Sequence, residues 1–201
     1  MDGTQLADAT FAFVDVETTG ISPTTAAVVE VACLVVRAGR TVTAFETLID
    51  PMMQIPPFAT SIHGISDACV VGAPRLDEVL PHLQLLVRNS IVVAHNARFD
   101  MAFLPTLRFR PVACSWRLAA KVCPDAPNHK NQTLRHFFNI NPPELLGRSA
   151  HRAMGDVIVT RHVFDACIAR YLQMGNTDRV EALLGFITPL RTRGAALVAT
   201  A

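Results

Sequence analysis

Apolar residues run from Phe11 to Val16 with one interruption, the acid Asp15. A run this short, rich in valine and phenylalanine, predicts a buried strand. Ala26–Arg37 and Thr41–Ile49 predict two more strands, joined by a hairpin turn at Ala38-Gly39-Arg40. Pro51, Pro56 and Pro57 then break the pattern into a loop that carries His63-Gly64. Leu76, Val79, Leu80 and Leu83 have helical spacing, so Leu76–Val87 reads as a helix packed on the sheet. Ser90–Ala94 reads as a short buried strand, Arg98–Leu107 as a helix and Val112–Ser115 as a fifth strand. A turn-rich stretch over 124–131 precedes a helix around Thr133–Phe138. The last long helix runs from Ala153 to Leu172, with Val157, Thr160, Phe164, Ile168 and Tyr171 on its buried side. Trp116 and Tyr171 read as core. Three strands in series, followed by alternating helices and strands, imply an α/β fold: a mixed five-stranded sheet flanked by helices in a single domain.

Composition narrows this picture. The chain has 201 residues, half of them hydrophobic, which suits one globular domain with a sizeable core. The most apolar stretch, Ala26–Val36, is short and broken by Glu30, so no membrane span is expected. No signal peptide is visible, since Met1-Asp2-Gly3 begins the chain without a basic region or an apolar run. Five cysteines without a C-x-x-C pairing read as reduced thiols of a cytoplasmic protein. The net charge of +1 hides an asymmetry. Residues 1–107 hold 11 acidic and 5 basic groups, whereas residues 108–152 hold 8 basic and 2 acidic ones. The basic segment (Arg108, Arg110, Arg117, Lys121, Lys130, Arg135, Arg148, Arg152) suggests a phosphate-contacting rim beside an acidic cleft.

The chemistry concentrates in three places. Asp15-Val16-Glu17-Thr18-Thr19-Gly20 ends the first strand, and strand alternation points Asp15 and Glu17 the same way. Two carboxylates side by side at a buried strand end repel each other, so a cation is expected between them. His95-Asn96-Ala97-Arg98-Phe99-Asp100 and His151-Arg152-Ala153-Met154-Gly155-Asp156 add two more acids and a histidine. Four carboxylates and a histidine are the inventory of a two-metal phosphoryl-transfer site. Five helical residues turn the chain by about 500°, so His151 and Asp156 cannot share a helix face. His151 is therefore placed just ahead of the helix. Gly155 is a helix-weakening choice beside Asp156 but leaves the ligand inventory untouched.

The three motifs, with Ser61-Ile62-His63-Gly64-Ile65 between the first two, resemble the DEDDh 3'→5' exonucleases, as in polymerase III epsilon-like and exonuclease X-like proofreading proteins. The resemblance runs from about Thr10 to about Met174. It implies a ribonuclease H-like fold, with residues 1–9 as an N-terminal extension and 10–174 as the exonuclease domain; over 175–201, the apolar segment Val180–Ile187 followed by Pro189 reads as a capping helix and tail. The resemblance implies catalytic roles for Asp15, Glu17, Asp100, His151 and Asp156. The four acids would hold two divalent cations, Mg²⁺ or Mn²⁺, with Asp15 bridging, Glu17 and Asp156 completing one ion and Asp100 holding the other. His151 would be the general base, since histidine titrates near neutral pH. Thr18, His63, Gly64 and Phe99 are the expected substrate-binding residues, although Phe99 also suits core packing. His95 and Asn96 are expected to shape the turn into their helix.

The implied activity is metal-dependent 3'→5' hydrolysis of single-stranded or frayed nucleic-acid ends, releasing nucleoside 5'-monophosphates. DNA is favoured over RNA, with an exoribonuclease of the same superfamily as the alternative. A non-catalytic scaffold for a polymerase is the rival from another class, and a complete carboxylate cluster argues against it. A polymerase or repair protein is the expected partner class.

Overall fold

The computed structural model describes residues 4–107 and 110–186; Arg108 of the expected basic rim and the tail beyond Phe186 lie outside the described residues. Five strands, β1 (Thr10–Thr18), β2 (Val28–Arg37), β3 (Arg40–Leu48), β4 (Ile91–Ala94) and β5 (Val112–Cys114), form one sheet in the order β3-β2-β1-β4-β5. β1 lies in the middle, antiparallel to β2 and parallel to β4. The sheet is thus mixed, as the element pattern predicts.

Both faces of the sheet are covered, so β2 and β4 are apolar almost throughout. On one face, α2 (Leu76–Val87) and α3 (Ala97–Phe103) pack on Ala12, Val14, Val16, Val31 and Val92. On the other, α4 (Ser115–Val122), α5 (Asn131–Phe137) and α6 (Ala153–Gln173) cover Phe13, Ala32, Leu34 and Val93. Three layers around a central strand make that strand's end a rigid mounting point.

Several expectations are corrected. The proline-rich stretch is not a loop throughout, because α1 (Pro57–His63) forms there, with Gly64 ending it at φ 74°. Proline is well tolerated at the first helical position, where its missing N–H is not needed. α3 ends at Phe103, four residues short of the expected Leu107, because Pro105 disfavours helical backbone at Leu104. Ser115 opens α4 rather than closing β5, and this helix, which buries Leu118, Ala119 and Val122, is absent from the expected elements. Trp116 is not core: it sits on the outer side of α4, 47% exposed. The expected C-terminal cap is a short 3-10 segment, Val180–Phe186, that seats Val180 and Leu183 in the core. Leu6 and Ala9 are buried in the same cluster, and Gln5 bridges Arg179, so the first residues pack with the domain.

Candidate active site

Asp15 and Glu17 stand at the end of β1 on the face covered by α6. Below them on that face, the rings of Phe11 and Phe13 meet Phe164 of α6 edge-on, at 5.3 and 5.7 Å between centroids. This aromatic contact ties α6 to β1 and brings its first turn, with Asp156, over the strand end. One carboxylate oxygen from each of Asp15, Glu17 and Asp156 lies within 4.8 Å of the other two. Asp100, buried on α3, lines the same cleft of about 410 Å³, together with His95, Phe99, Lys130, Gln132 and His151.

The acids hold their protons above the ordinary carboxylate range. Burial, then the charges of Asp100, Asp156, Glu17 and Glu30, raises Asp15. Glu17 is pushed up to about 8 by burial and then by Asp156, Glu30 and Asp100, with Arg152 pulling it back. Burial carries Asp100 to about 7 and raises Asp156. So much unneutralised negative charge, all of it on oxygen donors, fits hard divalent cations.

Asp156 is held by the protein on two sides. Gln132 Nε2 donates to its Oδ1 at 2.7 Å, and the His151 backbone N–H donates to its Oδ2 at 3.0 Å. Asn131 donates to the Asp156 carbonyl and the Thr160 hydroxyl, each at 3.1 Å, which locks α5 onto α6. Sequence reasoning misses Asn131 and Gln132; only their place at the end of the turn-rich stretch hints at them. His151 sits ahead of α6, as the helix geometry requires, with its backbone at φ 57°.

The expected positions divide into two groups. Asp15, Glu17, Asp100, Phe99, His151 and Asp156 converge on the cleft. Thr18, His63 and Gly64 are not among its lining residues. Thr18 donates its hydroxyl to the Gly20 carbonyl at 2.7 Å. His63 is buried, accepts the Ile65 N–H at its Nδ1 (3.0 Å), and has its pKa lowered by burial. Its Nε2–H lies beside the Thr18 backbone without a well-aligned partner. His95 shapes its turn, as expected: Nε2–H donates to the His129 carbonyl (2.8 Å), so Nδ1 accepts from Ser115 (2.9 Å). Burial lowers its pKa to about 4, and it is neutral in the cleft wall. Two members of the expected basic rim are spent on ion pairs, Arg148 with Glu46 and Arg152 with Glu30.

A mixed sheet of this order, with an acidic cluster at the end of its central strand, defines a nuclease-type member of the ribonuclease H-like fold. The chain belongs to the exonuclease family, whose RNase_T model matches residues 12–164. It is 34% identical over 171 residues to a DNA polymerase III subunit epsilon-like protein of Rhodobacter capsulatus, covering 80% of this chain and 24% of that protein. It is 30% identical over 172 residues to the PolC-type DNA polymerase III of Caldanaerobacter subterraneus subsp. tengcongensis, covering 82% of this chain and 12% of that protein. The chain therefore spans a quarter or less of the length of these relatives. Its structure is similar to that of exonuclease X in complex with 5' overhanging duplex DNA, with a TM-score of 0.68 and 28% identity. That likeness covers 88% of this chain and 98% of the other.

Proposed function

We propose that the protein is a metal-dependent 3'→5' exonuclease acting on single-stranded or frayed DNA ends, with residues 10–174 as the catalytic domain. The observation that carries this reading is the approach of Asp15, Glu17 and Asp156 to within 4.8 Å, with Asp100 and His151 lining the same cleft. Asp15, Glu17 and Asp156 would hold one divalent cation, and Asp15 with Asp100 a second, Mg²⁺ or Mn²⁺ being suited to an all-oxygen set. When bound, the cations supply Lewis-acid charge that polarises the phosphodiester and stabilises the attacking and leaving oxygens.

The chain's own residues do the rest. His151 takes the proton of the attacking water, and its exposed position at the cleft edge leaves the imidazole free to reach that water. Gln132 and the His151 N–H fix one orientation of Asp156, so that its remaining lone pairs face Asp15 and Glu17. Phe99 lines the cleft wall while its ring packs tilted against Phe103, with centroids 5.0 Å apart, so it offers an apolar surface to a base without leaving the core. Thr18, at the end of β1, meets the terminal nucleotide through its backbone, with the His63 ring against that backbone and Gly64 turning the chain beside it at the substrate entrance.

DNA is favoured because exonuclease X was solved with duplex DNA and the relatives are named as DNA polymerase III proteins. The polymerase III names of two relatives support a polymerase as the partner. The five cysteines are all unpaired thiols, in keeping with a cytoplasmic location, and no helix among the described residues is long and apolar enough to cross a membrane. A polymerase scaffold would have no need of a mutually repelling carboxylate cluster. The test is side-by-side digestion of 3'-labelled DNA and RNA oligonucleotides in Mg²⁺. Faster release of labelled deoxynucleoside 5'-monophosphate supports the reading; faster release from RNA would reassign the substrate, and no release from either would overturn it.

A further inference from the structure

Glu30 is the one acid in the buried run of β2, and the β1–β2 register sets it directly opposite Glu17. Like charges facing each other across two strands destabilise a sheet, so each needs its own counter-charge. For Glu30 the structure supplies one. Arg152 Nε lies 3.2 and 3.1 Å from its two oxygens, and an Arg152 terminal nitrogen lies 2.6 Å from Oε1. The N–H of Ala153, the first residue of α6, also donates to Glu30 Oε2 at 2.8 Å. A buried strand carboxylate thereby caps a helix formed more than a hundred residues later.

The residue before this clamp is His151, and two further contacts fix the segment leading to it. Arg148 forms an ion pair with Glu46 of β3 at 2.9 Å. At Gly155 a Cβ would lie 2.6 Å from the Ser149 carbonyl oxygen, so only glycine lets this segment pass so close to α6.

We propose that Glu30 and Arg152 form a positioning pair: they clamp the start of α6 to the sheet and so set His151 over the cleft and Asp156 against Asp15 and Glu17. This rests on the exonuclease reading. Neither residue touches the reacting atoms; the pair acts through the backbone of 151–153, whose displacement by about 1 Å can cost on the order of 10²-fold in rate. Arg152 also neutralises Glu30, which leaves Glu17 with one uncompensated neighbour fewer.

The test compares wild type with Arg152→Ala, Arg152→Lys, Glu30→Gln and the double variant Glu30→Ala/Arg152→Ala. In metal-free protein, exchange of the His151 amide should quicken by roughly tenfold or more in Arg152→Ala, because its bond to Asp156 loses its anchor. With Mg²⁺ and a single-stranded DNA substrate, kcat should fall about 10–100-fold with KM nearly unchanged, and Arg152→Lys should recover part of it. The double variant separates positioning from bulk stability. It removes the buried unpaired carboxylate that Arg152→Ala leaves, so its melting temperature should recover while kcat stays low. Recovery of kcat together with melting temperature would overturn the proposal, as would an Arg152→Ala enzyme within about threefold of wild type. If Arg152→Ala does not fold, Glu30→Gln and Arg152→Lys are judged by the same amide and kcat readings. A wild-type protein inactive on both DNA and RNA would refute the functional reading instead, and the metal-free amide exchange would still decide whether the clamp exists.

Discussion

Metal-free protein should lose stability as pH rises from about 6.5 to about 8.5, and a divalent cation should remove that loss. Glu17 titrates at about 8 against an ordinary value of 4.5, and Asp100 at about 7 against 3.8, burial being the first cause of both. Between those limits the folded chain still binds protons that the unfolded chain has released, so stability falls as pH rises through the folded values. The window starts near pH 6.5 because His95, lowered to about 4, has the opposite sign. Its contribution grows as pH rises from 4 to 6.5 and is complete above that. Across the window, linkage assigns about 2 kcal/mol to Glu17 and about 1 kcal/mol to Asp100. The two groups repel each other, so their losses are not independent, and a total of roughly 2–3 kcal/mol is expected. For a chain of this size that is roughly 4–10 °C in melting temperature. Calorimetric melts in excess chelator at both ends of the window, repeated with saturating Mg²⁺ or Mn²⁺, measure it. The cation competes with protons for the same oxygens, so its stabilisation should be larger at the alkaline end. A metal-free melting temperature that stays level or rises across the window would refute the reasoning, as would cation stabilisation indifferent to pH.

Asp15→Asn should abolish turnover while preserving the fold, because it is the acid on which the charges of Asp100, Asp156 and Glu17 all bear. Retention of more than about a tenth of the wild-type rate, only ~1.4 kcal/mol of barrier, would remove Asp15 from the metal site. His151→Ala should slow single-turnover hydrolysis by roughly 10²–10⁴-fold with divalent-cation affinity unchanged by calorimetry; loss of cation binding would mean the histidine is not a general base. Gly155→Ala should destabilise by about 1–3 kcal/mol in chemical denaturation, since its Cβ meets the Ser149 backbone at 2.6 Å. A neutral effect there would show that segment 149–152 yields freely.

The strands and the carboxylate pair are legible in the sequence because both rest on local rules. β1 keeps a regular register from Thr10 to Glu17, so Asp15 and Glu17 share a face with Phe11 and Phe13, and the structure puts α6 over that face. The offset of His151 from α6 follows from helix geometry alone. Information carried by distant contacts is not legible in this way. Glu30 is visible as a break in an apolar run, but its partner lies at Arg152, and nothing local joins them. The rim reading fails at Arg148 and Arg152 for the same reason. α1 is hidden because prolines that end one helix can also begin another. α4 is hidden by its start inside an apparent strand, although Ser115, Leu118, Ala119 and Val122 form its buried side. His63 sits in a recognisable motif, yet its burial depends on how α1 packs, which the motif does not encode.

The central claim is that the Asp15, Glu17, Asp100 and Asp156 cluster removes nucleotides one at a time from a free 3' end with the help of divalent cations. The most direct measurement is a time course on single-stranded DNA, 5'-labelled when linear and internally labelled when circular, in Mg²⁺ and in excess chelator. The account predicts a descending ladder of single-nucleotide steps from the linear strand in Mg²⁺ only, with the circle intact. Cleavage of the circle, or undiminished hydrolysis in chelator, would contradict it.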